Sequence, residues 1–160
     1  MNPNSSEILA SELTSKEIGD LSMVGPLLEQ IQSPLLSVMA DGAYDAEPVY
    51  RAIAEHQPDS PPAVLIPPRA TAVLGPTTGA APSLRDRHIQ TIQEKGRRGG
   101  ERAVSYGQRS LVETAMFRYQ TLIGPMLRAR TLPAQRAEAH LACSVINRMT
   151  QLGRPISQRV

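Results

Sequence analysis

Between Asp20 and Gln32 the apolar positions Leu21, Val24, Leu27, Leu28 and Ile31 recur at the spacing of one helix face, with Asp20 suited to cap the start and Ser33-Pro34 to close the end. The pattern then changes. Leu35 to Ala40 is a short apolar run ending on Asp41-Gly42, which predicts a buried strand that delivers an acidic side chain at its C-terminal end. Glu47 to His56 returns to helical spacing, with Pro48 in the first turn, where its missing N–H would be unpaired anyway. After the proline-rich loop 57–62, Ala63 to Pro67 predicts another buried strand, stopped by Pro67-Pro68. Glu7 to Thr14 alternates loosely and predicts a strand near the start. The order strand, helix, strand, helix, strand with apolar strands argues for an α/β sheet with some parallel pairing.

The second half is read mainly as helix. Residues 70–83, rich in Gly, Pro, Thr and Ala, have no periodicity and predict an internal loop. Arg85 to Lys95 is helix-compatible, with Ile89 and Ile92 inward, before Gly96 to Gly100 breaks the chain. Gln108 to Met126 is the strongest helical pattern, and Pro133 to Leu152 gives a last helix before the tail 153–160. At about 100° per residue, Tyr106, Arg109, Glu113 and Gln120 fall within roughly a 60° sector. Leu111, Val112, Ala115, Met116, Tyr119, Leu122 and Ile123 occupy another side, so the helix reads as one polar and one core face.

Composition narrows the classes. Aromatic residues make up 3% of the chain and Phe117 is its one phenylalanine, so the core rests on aliphatic side chains and methionine. Cys143 stands alone, which excludes an intramolecular disulfide and a cysteine-based zinc site, and reads as a small buried hydrophobe. The N-terminus lacks a basic flank followed by an apolar stretch, and no run approaches the ~18 apolar residues of a membrane span, so the expectation is a soluble, cytoplasmic chain. The net charge of +2 hides a division: residues 1–84 carry three bases against ten acids, and residues 85–160 fourteen bases against five acids. Nearly all bases of the second half are arginine, whose planar fork suits phosphate oxygens and makes a polyanion partner plausible. His56, His88 and His140 share no ligand spacing and read as surface or half-buried histidines. Asp45 and Glu47 read as acidic residues at a helix N-terminus, and Gly96 to Gly100 is not a phosphate-binding loop, because it lacks the lysine-serine/threonine ending.

The segments Ala40–Asp45 (ADGAYD), 47–53 (EPVYRAI), 65–69 (LIPPR), 85–89 (RDRHI) and 105–149 resemble transposases of bacterial insertion sequences of the Asp-Asp-Glu type. The resemblance extends over nearly the whole chain from Glu7. Its most specific part is a signature of tyrosine, arginine, glutamate and lysine, which here falls on Tyr106, Arg109, Glu113 and, in place of the lysine, Gln120. The resemblance implies a ribonuclease-H-like α/β core with C-terminal helices over residues 7–152. In such a core three carboxylates hold two divalent ions, Mg²⁺ or Mn²⁺, that stabilise the attacking and leaving oxygens when DNA strands are cut and rejoined. It further implies Asp41 as the second metal ligand and Glu113 as the third, with Tyr106, Arg109 and Gln120 in support. DNA at transposon ends is the implied partner, with a homo-oligomer or a mixed oligomer with a full-length transposase as further expectations. Arg97, Arg98, Arg102, Arg118, Arg128 and Arg130 are candidates for the DNA backbone.

Three departures qualify what is expected. Residues 1–6 hold no carboxylate for the family's first aspartate, so the core is expected to be incomplete at its N-terminal strands and the chain to be a truncated copy, weakly active or inactive. Gln120 offers an amide where the family has a cation, and residues 96–107 lack the tryptophan that members often carry there. A non-catalytic DNA-binding or interfering protein, or a relic that folds poorly, are the alternatives.

Overall fold

β1 (Ser37–Met39) and β2 (Ala63–Leu65) pair in parallel, with Ser37 opposite Ala63, Val38 opposite Val64 and Met39 opposite Leu65. Parallel neighbours need a long crossover, and here it is the helix α2 (Glu47–His56), as the order of apolar runs predicts. The computed structural model of the chain describes residues 1–69, 71–75, 83–90, 93–94 and 110–153. These form two compact units, one of Gly19–Arg109 and one of Met1–Ile18 with Ser110–Val160, and the mixture of helices with a small parallel sheet makes the fold α/β.

In the unit Gly19–Arg109 the two strands, α2 and the short helix α1 (Val24–Glu29) close around Leu28, Val49, Tyr50, Ile53, Val64 and Ile66. The helix expected over Asp20–Gln32 is split: a 3-10 turn at Asp20–Met23 precedes α1. Pro26 accounts for the break. A proline deep in a helix removes a hydrogen bond and clashes with the turn before it, and starting the α-helix at Val24 leaves Pro26 in the first turn, where no partner is lost. Asp20 is accordingly not the cap; Gly19 stands at that position. Beyond α2 the Gln57 amide takes over its end, the side-chain carbonyl accepting from Leu35 N at 2.9 Å and so tying the helix exit to the entry of β1. The strand exits lie close together, since a Cβ on Gly42 would meet the Pro67 carbonyl oxygen at 3.1 Å.

A helical stretch at 84–90, here α3, begins where the sequence carries its own signal. Ser83 Oγ accepts from Asp86 N at 3.1 Å and donates to Asp86 Oδ2 at 3.0 Å, a reciprocal cap at the helix start. Asp86 Oδ1 also accepts from Gly75 N at 2.9 Å, and these bonds, the Gly75 one foremost, hold the Asp86 carboxyl below its ordinary value. Residues 71–75 have no helix or strand. Ala70 and residues 76–82 of the expected loop, Ile92, and the break at 96–100 lie outside the described residues.

The other unit is a helix pair, α4 (Ser110–Leu122) and α5 (Leu132–Leu152). α4 stops short of Met126 because Gly124, at φ +120°, turns the chain and Pro125 cannot continue the helix. Pro133 sits in the first turn of α5, and Gly153 ends it. The segment Glu7–Thr14, expected as a strand, forms none. No neighbouring strand pairs with it among the described residues; α5 side chains hold it instead. Asn147 accepts from Ile8 N at 2.8 Å and donates to Ile8 O at 2.9 Å, and Arg136 Nε donates to Leu13 O at 2.9 Å. The core face expected for α4 is half realised: Ala115 is buried, while Val112 and Met116 are each 60% exposed.

Candidate functional site

Asp41 follows β1 after a single residue and is half-buried. Its backbone is extended and its carboxylate caps a 3-10 turn, Gly42–Tyr44, Oδ1 accepting from Ala43 N at 2.8 Å. The turn arises because Asp accepts readily from the backbone two residues on, which the Asp-Gly sequence favours. A strand end thus presents an acidic group on a capped turn, but the strand is not the buried one expected from the apolar run 35–40: Leu36 is 91% exposed, Ser37 is exposed, and Val38 and Met39 are half-buried.

Four residues later Asp45 takes a role that the sequence did not suggest. Its side chain is 0% exposed. Oδ1 accepts from Arg85 Nε at 2.7 Å, and Oδ2 accepts from Arg85 Nη2 at 3.2 Å and from Arg69 N at 3.0 Å. Burying a carboxylate is costly unless its oxygens are paired, and this forked pairing meets that requirement. The bond to Asp45 also raises the Arg85 guanidinium above its ordinary value. Arg85 Nη1 donates to Val73 O at 3.1 Å, and Arg69 sends Nε to Gly42 O at 3.0 Å and Nη2 to Ala43 O at 2.6 Å. The fragments ADGAYD, LIPPR and RDRHI, separated in sequence, therefore meet at one buried carboxylate.

Tyr50 and His88 stand beside this group. Their rings meet edge-on with centroids 6.3 Å apart, and among the described residues neither the Tyr50 hydroxyl nor His88 Nδ1 has a hydrogen-bond partner. Burial, reinforced by the Asp45 charge, pushes the Tyr50 phenol well up. Burial, then the Arg87 charge, pulls the His88 imidazole down, against the opposing pull of a hydrogen bond at the Ile66 backbone and of Asp45. On the turn itself, burial and the charges of Asp20 and Asp41 raise the Tyr44 phenol.

Glu113 and Gln120 are exposed on α4, seven residues apart and so on one face. Tyr106, Arg109, Arg97, Arg98 and Arg102 lie outside the described residues. Arg118 turns toward α5, donating to Ile146 O at 3.4 Å and to the Thr150 hydroxyl. Arg128 and Arg130 are exposed, the backbone of Arg128 donating to both Glu138 oxygens at 2.9 and 3.0 Å, which holds the Glu138 carboxyl low. Asp41 belongs to one unit and Glu113 to the other.

A family model described as the transposase DDE domain matches residues 1–148. The chain belongs to the DDE transposase family. No solved structure matches it. DDE transposases generally use divalent metals, and a carboxylate such as Asp41 has the hard oxygen donors that such ions prefer. Among the described residues, however, no group of three or more His, Cys, Asp or Glu side chains is placed to hold an ion. Asp45, the nearest acidic neighbour in sequence, is already committed to Arg85 and Arg69. The described part of this DDE transposase thus offers a donor of the right chemistry and not an assembled ligand set, and no reaction step follows from it. Among the described residues no helix is long and apolar enough to cross a membrane.

What the sequence reading missed is the Asp45, Arg69 and Arg85 group, together with Tyr50 and His88. Its signal was present in part: an aspartate between apolar positions, with two arginines in short fragments that each end or begin an element.

Proposed function

We propose that this chain is catalytic-domain material of a DNA transposase of the bacterial insertion-sequence type. On this reading residues 7–152 belong to one ribonuclease-H-like domain, with 70–83 an internal loop and 153–160 a tail. Asp41 and Glu113 are carboxylate ligands of Mg²⁺ or Mn²⁺, and the tyrosine, arginine and glutamate of the signature are Tyr106, Arg109 and Glu113, with Gln120 following. The observation that carries the reading is the family match over residues 1–148, taken with an aspartate capping a turn just beyond the end of a parallel strand. When bound, the metal pair would supply charge stabilisation to both oxygens of an in-line displacement at phosphorus. The arginine-rich second half, including Arg97, Arg98, Arg102, Arg128 and Arg130, faces the DNA backbone in this reading, with DNA at transposon ends as partner.

The test is an Mn²⁺ titration of the full chain, alongside DNA binding as a function of salt. The reading expects saturable binding that Asp41→Asn and Glu113→Gln each weaken. It also expects a steep fall in DNA affinity with salt, as when several phosphates are neutralised. Mn²⁺ binding that ignores both substitutions would sink the metal assignment. Salt-dependent DNA binding with no metal dependence would favour a non-catalytic protein that occupies transposon ends or joins an intact transposase.

A further inference from the structure

We propose that Asp45, Arg69 and Arg85 are positioning residues that aim the Asp41 carboxylate, an inference that rests on the reading of Asp41 as a metal ligand. A buried ion pair that served only to join helix to sheet would have no reason to engage the turn after Asp41. Here Arg69, whose backbone the Asp45 carboxylate holds, grips two of the turn's carbonyls. The Gly42 carbonyl accepts from Arg69 Nε at 3.0 Å and from Asp45 N at 3.3 Å, the Ala43 carbonyl from Arg69 Nη2 at 2.6 Å, and the Tyr44 carbonyl from Ala46 N at 2.8 Å. On the donor side Ala43 N reaches Asp41 Oδ1 at 2.8 Å and Tyr44 N reaches Asp41 O at 3.0 Å.

A line of contacts runs through this set. Arg85 fixes Asp45 through both carboxylate oxygens, Asp45 fixes the Arg69 backbone, and the Arg69 side chain fixes the peptide carbonyls of Gly42 and Ala43. Ala43 in turn supplies the N–H that orients Asp41. Arg69 lies 27 and 26 positions from the carbonyls it holds and Arg85 lies 40 from Asp45, so the segment after β2 and the start of α3 set the direction of a carboxylate just beyond β1. Arg69 is exposed, and its guanidinium is the last link; removing it leaves the buried Asp45 and Arg85 pair in place. Residues that orient a ligating group from behind typically change metal affinity by about tenfold or more.

The experiment is heteronuclear NMR of the full chain titrated with Mn²⁺ alone, reading paramagnetic broadening at the Gly42 and Ala43 amides, with thermal melting beside it. The unaltered chain is expected to show saturable broadening there that Asp41→Asn abolishes. Arg69→Ala is expected to raise the Mn²⁺ dissociation constant about tenfold and to move the metal-free Ala43 amide shift, with a melting temperature close to that of the unaltered chain. Arg69→Lys, a point charge on a flexible stem, is expected to restore charge and not the two-carbonyl grip, so affinity stays low. Asp45→Asn, which keeps the side-chain shape and weakens the hold on Arg85, is the second variant and is expected to lower affinity in the same direction. Unchanged affinity and an unchanged Ala43 amide in Arg69→Ala would overturn the positioning role while leaving Asp41 a ligand. Absence of saturable broadening in the unaltered chain, or its survival in Asp41→Asn, would instead remove the metal assignment on which the inference stands.

Discussion

The two units differ in how their helices find cover. In Gly19–Arg109 a helix crosses between two parallel strands, so α2 buries Val49, Tyr50 and Ile53 in one cluster with Val64 of β2 and Ile66 just beyond it. In the other unit α4 and α5 pack together and only Ala115, Ala142 and Ile146 are buried among their described apolar residues, while Phe117, Leu141 and Leu152 remain 66%, 66% and 72% exposed. A βαβ unit offers each apolar stripe a facing layer, whereas a pair of helices covers one stripe of each and leaves any broader apolar face in solvent. Cohesion in this second unit therefore leans more on side-chain bonds, such as those of Asn147 to Ile8 and Arg118 to α5.

The largest expected effect tests that contrast in packing. Ile53→Ala, at a site 1% exposed, should cost about 2 to 5 kcal/mol in urea unfolding, and Met116→Ser, at a site 60% exposed, should stay within about 0.5 kcal/mol. Equal costs would mean that the α4 face is covered in solution and that the contrast fails. Next comes the reliance on polar ties: Asn147→Ala, which strips both bonds from Ile8, should cost about 1 to 3 kcal/mol and speed hydrogen exchange at the Ile8 amide. An unaltered Ile8 exchange rate would show that Asn147 does not anchor the N-terminal segment.

The smallest effect concerns acid. His88 has its folded-state value below the ordinary imidazole value of about 6.5, so over the interval between them the unfolded chain binds more protons than the folded one. Its contribution is fully present above about pH 6.5 and is lost as pH falls from there through the folded value. Melting temperature measured from about pH 7.5 down to about pH 5.5 should decline, and His88→Phe should flatten that decline. A slope untouched by the substitution would mean that the fall belongs to other groups.

Much of the local structure was legible in the sequence because local physics decides it. α2 spans Glu47–His56 as its apolar spacing and Pro48 predict, and Asp41 stands beyond a short strand, although that strand is half-buried where a buried one is expected. Pro26 was misjudged, since spacing alone extended the helix back to Asp20 and did not weigh where a proline can sit. The strand expected at Glu7–Thr14 failed for another reason: alternation fixes which side chains face inward, but a strand needs a neighbour, and none among the described residues provides one. Asp45 was read as an acidic residue at a helix start because its partners lie 24 and 40 positions away, at Arg69 and Arg85. No short-range spacing encodes such a meeting. The charge count pointed the other way, since it assigned Arg85 to a basic half disposed toward polyanions, and folding instead spends that cation on an interior carboxylate.

Gly42 imposes a clearance on this arrangement. A methyl group there would meet the Pro67 carbonyl oxygen at 3.1 Å and force its neighbour to give by a few tenths of an ångström, and that neighbour is the backbone of a buried residue. The gap between the two strand exits is thus sized for a hydrogen atom, much as a bearing is sized for its shaft. Widening it would slide Gly42 and Ala43 away from the guanidinium of Arg69, so the tolerance of the entire acidic turn is set at its one residue without a side chain.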